Sequence, residues 1–305
     1  MTQPVSRRDM LVQTAAAVST GVAASSAFGI GPIKRTGKQR MRLSLAAYSW
    51  RSKMAYMRGR ETGGKMTMHD FIDYCAAQGL SAAEMTSYFF PPTVTSSYLA
   101  DLKRHAHVKG IDFSGGAIGN KFTSAPDSDL TKKQMAYTKS WIDHYAAMGV
   151  PVIRIFAGHP GKGENVDDAI KHAIANIETA CEYAGKRGVM LAMENHDFTT
   201  NLDYLFQVVE GVKSPWFGIN FDSGNLKSTP NPYADLERLV PYTINAQIKV
   251  HIPVNGKREH ADLDRIIKIL RDGGYSGYVV LEYEDKEDPA IAIPKYLDVL
   301  RKSIG

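Results

Sequence analysis

Four polar residues recur along the second half of the sequence at intervals of about one strand and one helix. They are Glu194 in LAMEN, Asp222 in NFDSGN, Gln247 in AQIKVH and Glu282 in VLEYE, separated in turn by 28, 25 and 35 residues. Each ends or follows a short apolar run, and groups at the ends of parallel strands carry the chemistry of many α/β enzymes. Equivalent strand positions predict that these four side chains meet at one end of a sheet or barrel.

The alternation of side chains along a strand predicts which way the acidic groups point. Leu191 and Met193 share the face opposite Glu194, and the same alternation holds around Asp222 and Glu282. The apolar neighbours therefore suit packing against outer helices, while the carboxylates point inward. Buried carboxylates that converge repel one another unless protons or a cation compensate. A divalent metal such as Mn²⁺, Mg²⁺ or Co²⁺ suits oxygen ligands, and Zn²⁺ is favoured if a histidine joins.

The elements that must position these groups form a repeating pattern of short apolar runs and longer helix-period segments. We predict strands at residues 42–48, 80–86, 111–116, 151–157, 189–195, 216–222, 244–252 and 277–284. We predict helices at residues 68–78, 94–109, 131–148, 165–187, 200–212, 260–273 and 288–303, with a shorter one at 233–239. Eight such units favour a single-domain (β/α)8 TIM barrel, an α/β fold, although an open doubly wound sheet fits the same alternation.

The motifs ENH at 194–196, FDSGN at 221–225 and LEYE at 281–284 make the chain resemble the xylose-isomerase-like TIM barrels, the sugar phosphate isomerase/epimerase superfamily. The resemblance covers essentially the whole chain after the N-terminal segment. In that family a Glu, an Asp, a His or Gln and a Glu at the ends of strands five to eight bind the metal. The resemblance assigns these positions to Glu194, Asp222, Gln247 and Glu282.

Strand seven leaves two alternatives for the metal ligand. Gln247, Lys249 and His251 share one face of the predicted strand. Gln247 fits a family variant in which glutamine is the ligand, and we favour it. His251 takes the role if the end of the strand lies two to four residues later than the assignment of Gln247 assumes. Lys249 would then lie beside the substrate as a cation for an oxyanion.

The resemblance implies a metal-dependent isomerase or epimerase of sugars. A cation bound to a keto-sugar acidifies the C–H next to the carbonyl by stabilising the enediolate, and Glu194 and Glu282 would act as acid and base. One alternative is a lyase that cleaves a glycoside by elimination from a 3-keto sugar, and another is a non-catalytic sugar-binding barrel. A metallo-hydrolase similar to endonuclease IV is disfavoured, because its histidine-rich, multi-zinc site has few counterparts here.

Other polar and aromatic residues near strand ends are candidates for substrate binding. We expect His196, Asn225 and His251 to contact ligands or substrate. We expect a stacking wall for a sugar from the aromatic residues that follow strands one to three, Trp50, Tyr88, Phe89, Phe90 and Phe122. Glu84 and Arg154 face inward, and we expect them to pair low in the barrel.

The N-terminus carries an export pattern. Ser6-Arg7-Arg8 precedes an Ala/Ser/Val-rich run, which predicts a twin-arginine signal over residues 1–29, a leader over 30–40 and the barrel over 41–305. Export to the periplasm or beyond favours a free sugar or keto-sugar over a sugar phosphate.

Composition narrows the partners. The formal net charge is +5, without a basic cluster interleaved with aromatics, so nucleic acid is disfavoured. We expect a small-molecule sugar as the substrate and no stable membrane insertion. Dimers and tetramers are common in the resembled family, so a homo-oligomer is also an expectation.

Overall fold

A computed structural model describes residues 29–305, and it forms a closed barrel of eight parallel strands. The strands are β1 (Met41–Ala46), β2 (Ala82–Thr86), β3 (Asp112–Ala117), β4 (Val152–Ile155), β5 (Met190–Glu194), β6 (Phe217–Asp222), β7 (Thr243–Ile248) and β8 (Gly277–Leu281). Each strand pairs with the next, and β1 pairs with both β2 and β8. Closure confirms the predicted (β/α)8 barrel and excludes the open doubly wound sheet.

Eight α-helices surround the barrel within the described residues. They are α1 (Met68–Ala77), α2 (Ser96–Val108), α3 (Asp129–Met148), α4 (Val166–Gly185), α5 (Leu202–Gly211), α6 (Pro232–Leu239), α7 (Leu263–Asp272) and α8 (Pro289–Ile304). Local signals set their ends. Thr67 begins α1 with a reciprocal capping box to Asp70, and Gly149 ends α3 at a φ of 83°.

The core lies between the strands and the helices. Phe217, Ile219 and Phe221 on the outer face of β6 are at most 2% exposed. Inward residues of the same strand are polar and equally buried, among them Asn220 and Asp222. Strands buried on both faces are typical of parallel sheets covered by helices. The apolar outer face stabilises the barrel, and the polar inner face is available for chemistry.

The predicted seventh strand was too long by four residues. β7 ends at Ile248, and the chain then forms an antiparallel hairpin of His251–Val254 and Lys257–His260. Asn255 and Gly256 form its turn with φ values of 46° and 78°, as two-residue hairpin turns require. The apolar alternation continues through both segments, so the sequence reads as a single strand.

Residues 30–40 run across the N-terminal end of the barrel. The backbone N–H of Ile30 donates to Val212 O at 3.0 Å, that of Ile33 to Pro241 O at 2.8 Å, and that of Arg40 to Ser276 Oγ at 3.1 Å. The segment therefore covers the end of the barrel opposite the predicted site. The predicted twin-arginine motif lies within residues 1–28, outside the described part of the chain. In residues 29–305 no helix is both long and apolar enough to cross a membrane.

Candidate active site

Three carboxylates meet at the C-terminal end of the barrel. Glu194 is the last residue of β5, Asp222 is the last residue of β6, and Glu282 directly follows β8. All three residues are at most 4% exposed. The structure thus brings together the three acidic side chains whose spacing placed them at equivalent strand ends.

The ammonium of Lys249 lies among these acidic groups. Its Nζ is 2.5 Å from Glu282 Oε2, 3.4 Å from Asp222 Oδ2 and 3.1 Å from Glu284 Oε2. Burial lowers the pKa of Lys249, but the surrounding carboxylates outweigh it and raise that pKa well above its ordinary value. Lys249 is therefore a cation at neutral pH. We call Glu194, Asp222, Glu282 and Glu284 the carboxylate cluster.

A second cation holds Glu194 from the neighbouring strand. Arg154 on β4 places Nε 2.9 Å from Glu194 Oε2, and 4% of each side chain is exposed. Its Nη1 donates to Ile118 O at 2.7 Å, and its guanidinium lies 4.0 Å from the ring centroid of Phe156. The expected pairing of Arg154 with Glu84 was wrong, because Arg154 reaches the strand-end carboxylate instead and amides surround Glu84.

Gln247 belongs to a polar layer deeper in the barrel. Its amide oxygen accepts from Asn220 Nδ2 at 2.6 Å, and its amide nitrogen donates to Glu84 Oε1 at 2.5 Å. Asn245 donates to Glu84 Oε2 at 2.8 Å and to Asn220 Oδ1 at 2.7 Å. Burial raises the pKa of Glu84 to about 7, and the negative charge of Glu282 raises it further. The hydrogen bonds from the Asn245 and Gln247 amides lower this pKa, but by less. The Gln247 amide is therefore engaged one layer below the carboxylate cluster.

His251, the other alternative for strand seven, lies in the hairpin that follows β7. Its ring stacks on His260 at a centroid distance of 4.5 Å, and its Nε2 is 3.4 Å from Asp285 Oδ2. Neither contact involves the carboxylate cluster. The group from this part of the chain that reaches the cluster is Lys249.

The loop after β6 fixes the orientation of Asp222. The backbone N–H groups of Gly224 and Asn225 donate to Asp222 Oδ1 at 2.8 and 2.9 Å. Asn225 Nδ2 donates to Glu194 Oε1 at 2.8 Å and to Asp222 Oδ2 at 3.1 Å, so one amide joins two carboxylates. A Cβ at Gly224 would lie 2.7 Å from Cβ and Cγ of Lys249, so glycine there lets the lysine approach. The FDSGN motif thus shapes the centre of the site.

His196 lies at the edge of the site. Its ring packs on Phe156 at a centroid distance of 4.3 Å, and its Nδ1 is 2.8 Å from Asp197 Oδ1. Burial lowers the pKa of His196, but Asp197 and Glu194 together raise it above its usual value. His196 also borders the cavity above the carboxylate cluster.

A cavity of about 350 Å³ opens above the carboxylate cluster, and we call it the catalytic cavity. Its lining residues include charged groups of the cluster and three aromatic side chains, Tyr48, Tyr88 and Phe156. Of the predicted stacking residues, Tyr88 lines this cavity, whereas Trp50 and Phe122 do not. Trp50 packs edge-on against Tyr74 at 4.7 Å, and Phe122 is fully buried in the core.

The sequence contained a signal for one of the aromatic residues that the prediction missed. Phe156 follows Arg154 by two residues, so the alternation of side chains along an extended chain predicts that both point into the barrel. Tyr48, which the prediction also missed, lies in a 3₁₀ turn after β1, where strand alternation no longer indicates a direction.

The charge of this site fits a divalent cation. The four carboxyl groups of the carboxylate cluster face two cations, Arg154 and Lys249, so carboxyl groups outnumber cations by two. Burial raises the pKa of Asp222 to about 7 and also raises the pKa values of Glu194 and Glu284. The anions are therefore only partly stabilised by the side chains present, and oxygen donors of this type suit Mg²⁺ or Mn²⁺.

The carboxylate cluster is not preformed around an ion in this structure. Within residues 29–305, no three His, Cys, Asp or Glu side chains are already arranged for coordination. The Lys249 ammonium stands among the oxygens, and a flexible four-carbon stem allows it to withdraw. Glu194, Asp222 and Glu282 are the residues that would hold the cation.

Comparison with known proteins places this site in context. The model of the xylose isomerase-like TIM barrel family matches residues 72–303. A probable endonuclease 4 from Methanoculleus marisnigri is 27% identical over 106 residues, which are 33% of this chain and 37% of that protein. The chain thus matches little more than a third of the length of that curated relative.

Three solved structures share the fold over nearly their whole length. D-psicose 3-epimerase from Clostridium cellulolyticum H10, solved with D-tagatose, is 16% identical, with 87% of this chain and 99% of that chain covered and a TM-score of 0.63. A xylose isomerase-like TIM barrel protein from Mycobacterium smegmatis, in complex with magnesium, is 15% identical, with 87% and 98% covered and a TM-score of 0.64. A 3-keto-D-glucoside 4-epimerase from E. coli is 15% identical, with 87% and 100% covered and a TM-score of 0.62.

At these identities the solved structures show the fold alone. The family model, by contrast, spans most of the chain, including the strands that carry the carboxylate cluster. The chain therefore belongs to the xylose isomerase-like TIM barrel family.

Proposed function

We propose that the protein is a metal-dependent isomerase or epimerase of a free sugar or keto-sugar. The observation that supports this most directly is that Glu194 and Glu282, from β5 and from the end of β8, line the same cavity. Each is held by its own cation, Arg154 for Glu194 and Lys249 for Glu282. Two separately positioned carboxylates suit proton transfer on two faces of one substrate carbon.

A divalent cation held by Glu194, Asp222 and Glu282 would supply Lewis-acid polarisation of the substrate carbonyl. One carboxylate of the Glu194 and Glu282 pair takes the proton from the carbon beside that carbonyl. The other returns a proton, either to the opposite face for epimerisation or to the adjacent carbon for isomerisation. The Lys249 ammonium would stabilise a developing oxyanion. The Asn225 amide, which donates to both Glu194 and Asp222, holds these two carboxylates in position.

A lyase acting on a 3-keto glycoside is the second candidate. The base removes the proton on C2, the C1–O bond breaks, a C1–C2 double bond forms, and the aglycone oxygen leaves with a proton from the second carboxylate. The observation that favours this reaction is an aromatic-lined cavity that shares Arg58 and Tyr88 with the catalytic cavity. The keto-glucoside substrate named for the E. coli neighbour fits either reaction.

Export by the twin-arginine pathway is part of the proposal, and it favours an unphosphorylated substrate. We expect active protein to be secreted into the periplasm. We expect this secretion to be lost when Arg7 and Arg8 are both replaced by lysine. The measurement is the distribution of the protein between periplasmic and cytoplasmic fractions. Equal periplasmic yield from the double variant would contradict it.

Metal removal is expected to lower the rate of proton exchange by about 10²-fold or more, because a Lewis acid supplies several kcal/mol to this chemistry. The protein is dialysed against a chelator, assayed with keto-sugars, and assayed again after adding Mn²⁺, Co²⁺ or Mg²⁺, with bound metal measured by elemental analysis. Asp222→Asn, treated identically, should bind less metal and recover less activity. Full activity in chelated, metal-free protein would contradict metal dependence.

A further inference from the structure

A second cavity of about 500 Å³ lies beside the catalytic cavity. It is formed by the turns after β1 and β2, the loop after β3 and one side of α3. Four aromatic residues line it, namely Tyr88, Phe90, Tyr137 and Trp141, together with the apolar Pro91, Pro92 and Val94. We call it the aromatic cavity. Its volume lies within the range of small-molecule sites, which are mostly apolar with few polar groups.

Arg58 and Tyr88 stand between the two cavities and line both of them. Arg58 lies in the turn of a short hairpin, Tyr56–Met57 and Arg60–Glu61, which follows β1. Its backbone N–H donates to Tyr88 O at 2.6 Å, and its guanidinium lies 4.6 Å from the Tyr88 ring centroid. A ligand that extends from one cavity to the other would therefore pass this Arg–Tyr pair.

Arg58 adopts a backbone conformation that is rare for a side chain of its size. Its φ is 51°, in the left-handed region, and Gly59 completes the turn at 78°. The hydrogen bond to Tyr88 ties this turn to the adjacent loop. These φ values are the ones that a two-residue hairpin turn requires, and the hairpin thus holds a long cationic side chain at the boundary between the cavities.

Two polar groups of the aromatic cavity contact each other, and a third is held by the backbone of a neighbouring loop. The hydroxyls of Ser87 and Tyr137 are 3.4 Å apart, and Gln134 Oε1 accepts from the backbone N–H of Lys121 at 2.9 Å. A second sugar ring would bring several hydroxyls that need new partners. A flat aromatic group needs none, and it can pack on the edges and faces of Trp141 and its aromatic neighbours.

We propose that the two cavities together bind an aryl glycoside, with the sugar ring over the carboxylate cluster and the aryl group in the aromatic cavity. This inference rests on the proposed sugar chemistry and names its substrate class. A free monosaccharide would occupy only the catalytic cavity, whose lining carries the carboxylates and their cations beside three aromatic rings. Within the described part of the chain, the aromatic cavity carries no carboxylate and is lined mainly by aromatic and apolar side chains. This difference between the two sides of Arg58 matches the two chemically different halves of an aryl glycoside.

Binding to the metal-loaded protein tests this inference by isothermal titration calorimetry with two probes, 4-nitrophenyl and methyl 3-keto-β-D-glucopyranoside. Burial of one aromatic ring predicts that the aryl probe binds about 10- to 100-fold tighter than the methyl probe. Val94→Trp fills the aromatic cavity and should bring this ratio close to one. Val108→Trp, at an exposed position of α2, introduces the same residue away from both cavities and should keep the wild-type ratio.

The inference is overturned if the wild-type protein binds both probes equally, or if Val94→Trp keeps the full preference for the aryl probe. Circular dichroism of both variants confirms that they fold. Tighter binding of a 3-keto disaccharide than of the aryl probe would also overturn it, in favour of a second sugar subsite. Binding is measured separately from turnover, so an aryl preference without proton exchange would reject the proposed catalysis and keep the cavity assignment.

Discussion

Replacing Glu282 with glutamine is expected to slow proton exchange into a keto-sugar by about 10²- to 10⁴-fold, the usual contribution of a positioned acid or base. Glutamine keeps the shape of the side chain but does not take up a proton at neutral pH. Glu282 is 4% exposed, lines the catalytic cavity and lies 2.5 Å from Lys249 Nζ. The measurement is deuterium incorporation from D₂O, followed by mass spectrometry.

Glu259→Gln is the matched control. Glu259 lies on the exposed strand of the hairpin that follows β7, outside the catalytic cavity. The Glu259→Gln variant should catalyse deuterium incorporation into the keto-sugar at the wild-type rate. If Glu282→Gln retains that rate as well, Glu282 is neither acid nor base.

Replacing Arg154 with methionine is expected to lower the free energy of unfolding by about 3–5 kcal/mol, because it leaves a buried carboxylate without its partner. Arg154 and Glu194 each have 4% of the side chain exposed, with Nε and Oε2 2.9 Å apart. The measurement is denaturant unfolding at pH 7 in the presence of a chelator. Combining Arg154→Met with Glu194→Gln should recover part of the loss, since no unpaired charge then remains.

Arg42→Met provides the comparison. Arg42 Nη1 is 3.3 Å from Asp112 Oδ2, but 54% and 65% of the two side chains are exposed. Exposed pairs contribute about 0–1 kcal/mol, so this variant should remain close to the wild type. Equal losses for Arg154→Met and Arg42→Met would show that the buried pair has no special role in holding Glu194.

The fold could be predicted because its signals are local. Apolar runs of strand length and helix-period segments recur along the chain, most helices have a side-chain cap, and β6 ends at Asp222 as predicted. The positions of the three carboxylates follow from the same signals, since strand parity determines which residues face the barrel interior. Equivalent positions in parallel units then lie together without further information.

The partners of these carboxylates could not be predicted, because they depend on the register and tilt of different strands. Arg154 reaches Glu194 on the next strand rather than Glu84, and Gln247 bonds to a layer below the cluster. The position of Lys249 depends on where β7 ends and on the close approach that Gly224 allows. Such contacts join residues far apart in the chain, and alternation along one strand carries no information about them.

The sequence indicated the aromatic cavity only in part, because Tyr88 and Phe90 were predicted stacking residues while Tyr137 and Trp141 were not. Its lining comes from a hairpin turn, two loops and α3, and aromatic residues in such places are most often core packing. Phe90 and Trp141 do pack edge-to-face at 5.1 Å, yet both still border the cavity. Only the closed barrel brings these segments to the rim of the catalytic cavity.

Deuterium exchange is the most direct test of the central claim that the carboxylate cluster moves a proton on a sugar. The Mn²⁺-loaded protein is incubated in D₂O with D-fructose, D-tagatose, D-psicose and methyl 3-keto-β-D-glucopyranoside, and binding of each is measured in parallel. We expect deuterium at the carbon beside the carbonyl of at least one sugar, and exchange slowed by about 10²- to 10⁴-fold with Glu282→Gln. Binding of these sugars without any exchange would contradict the claim and identify a binding protein that retains the barrel.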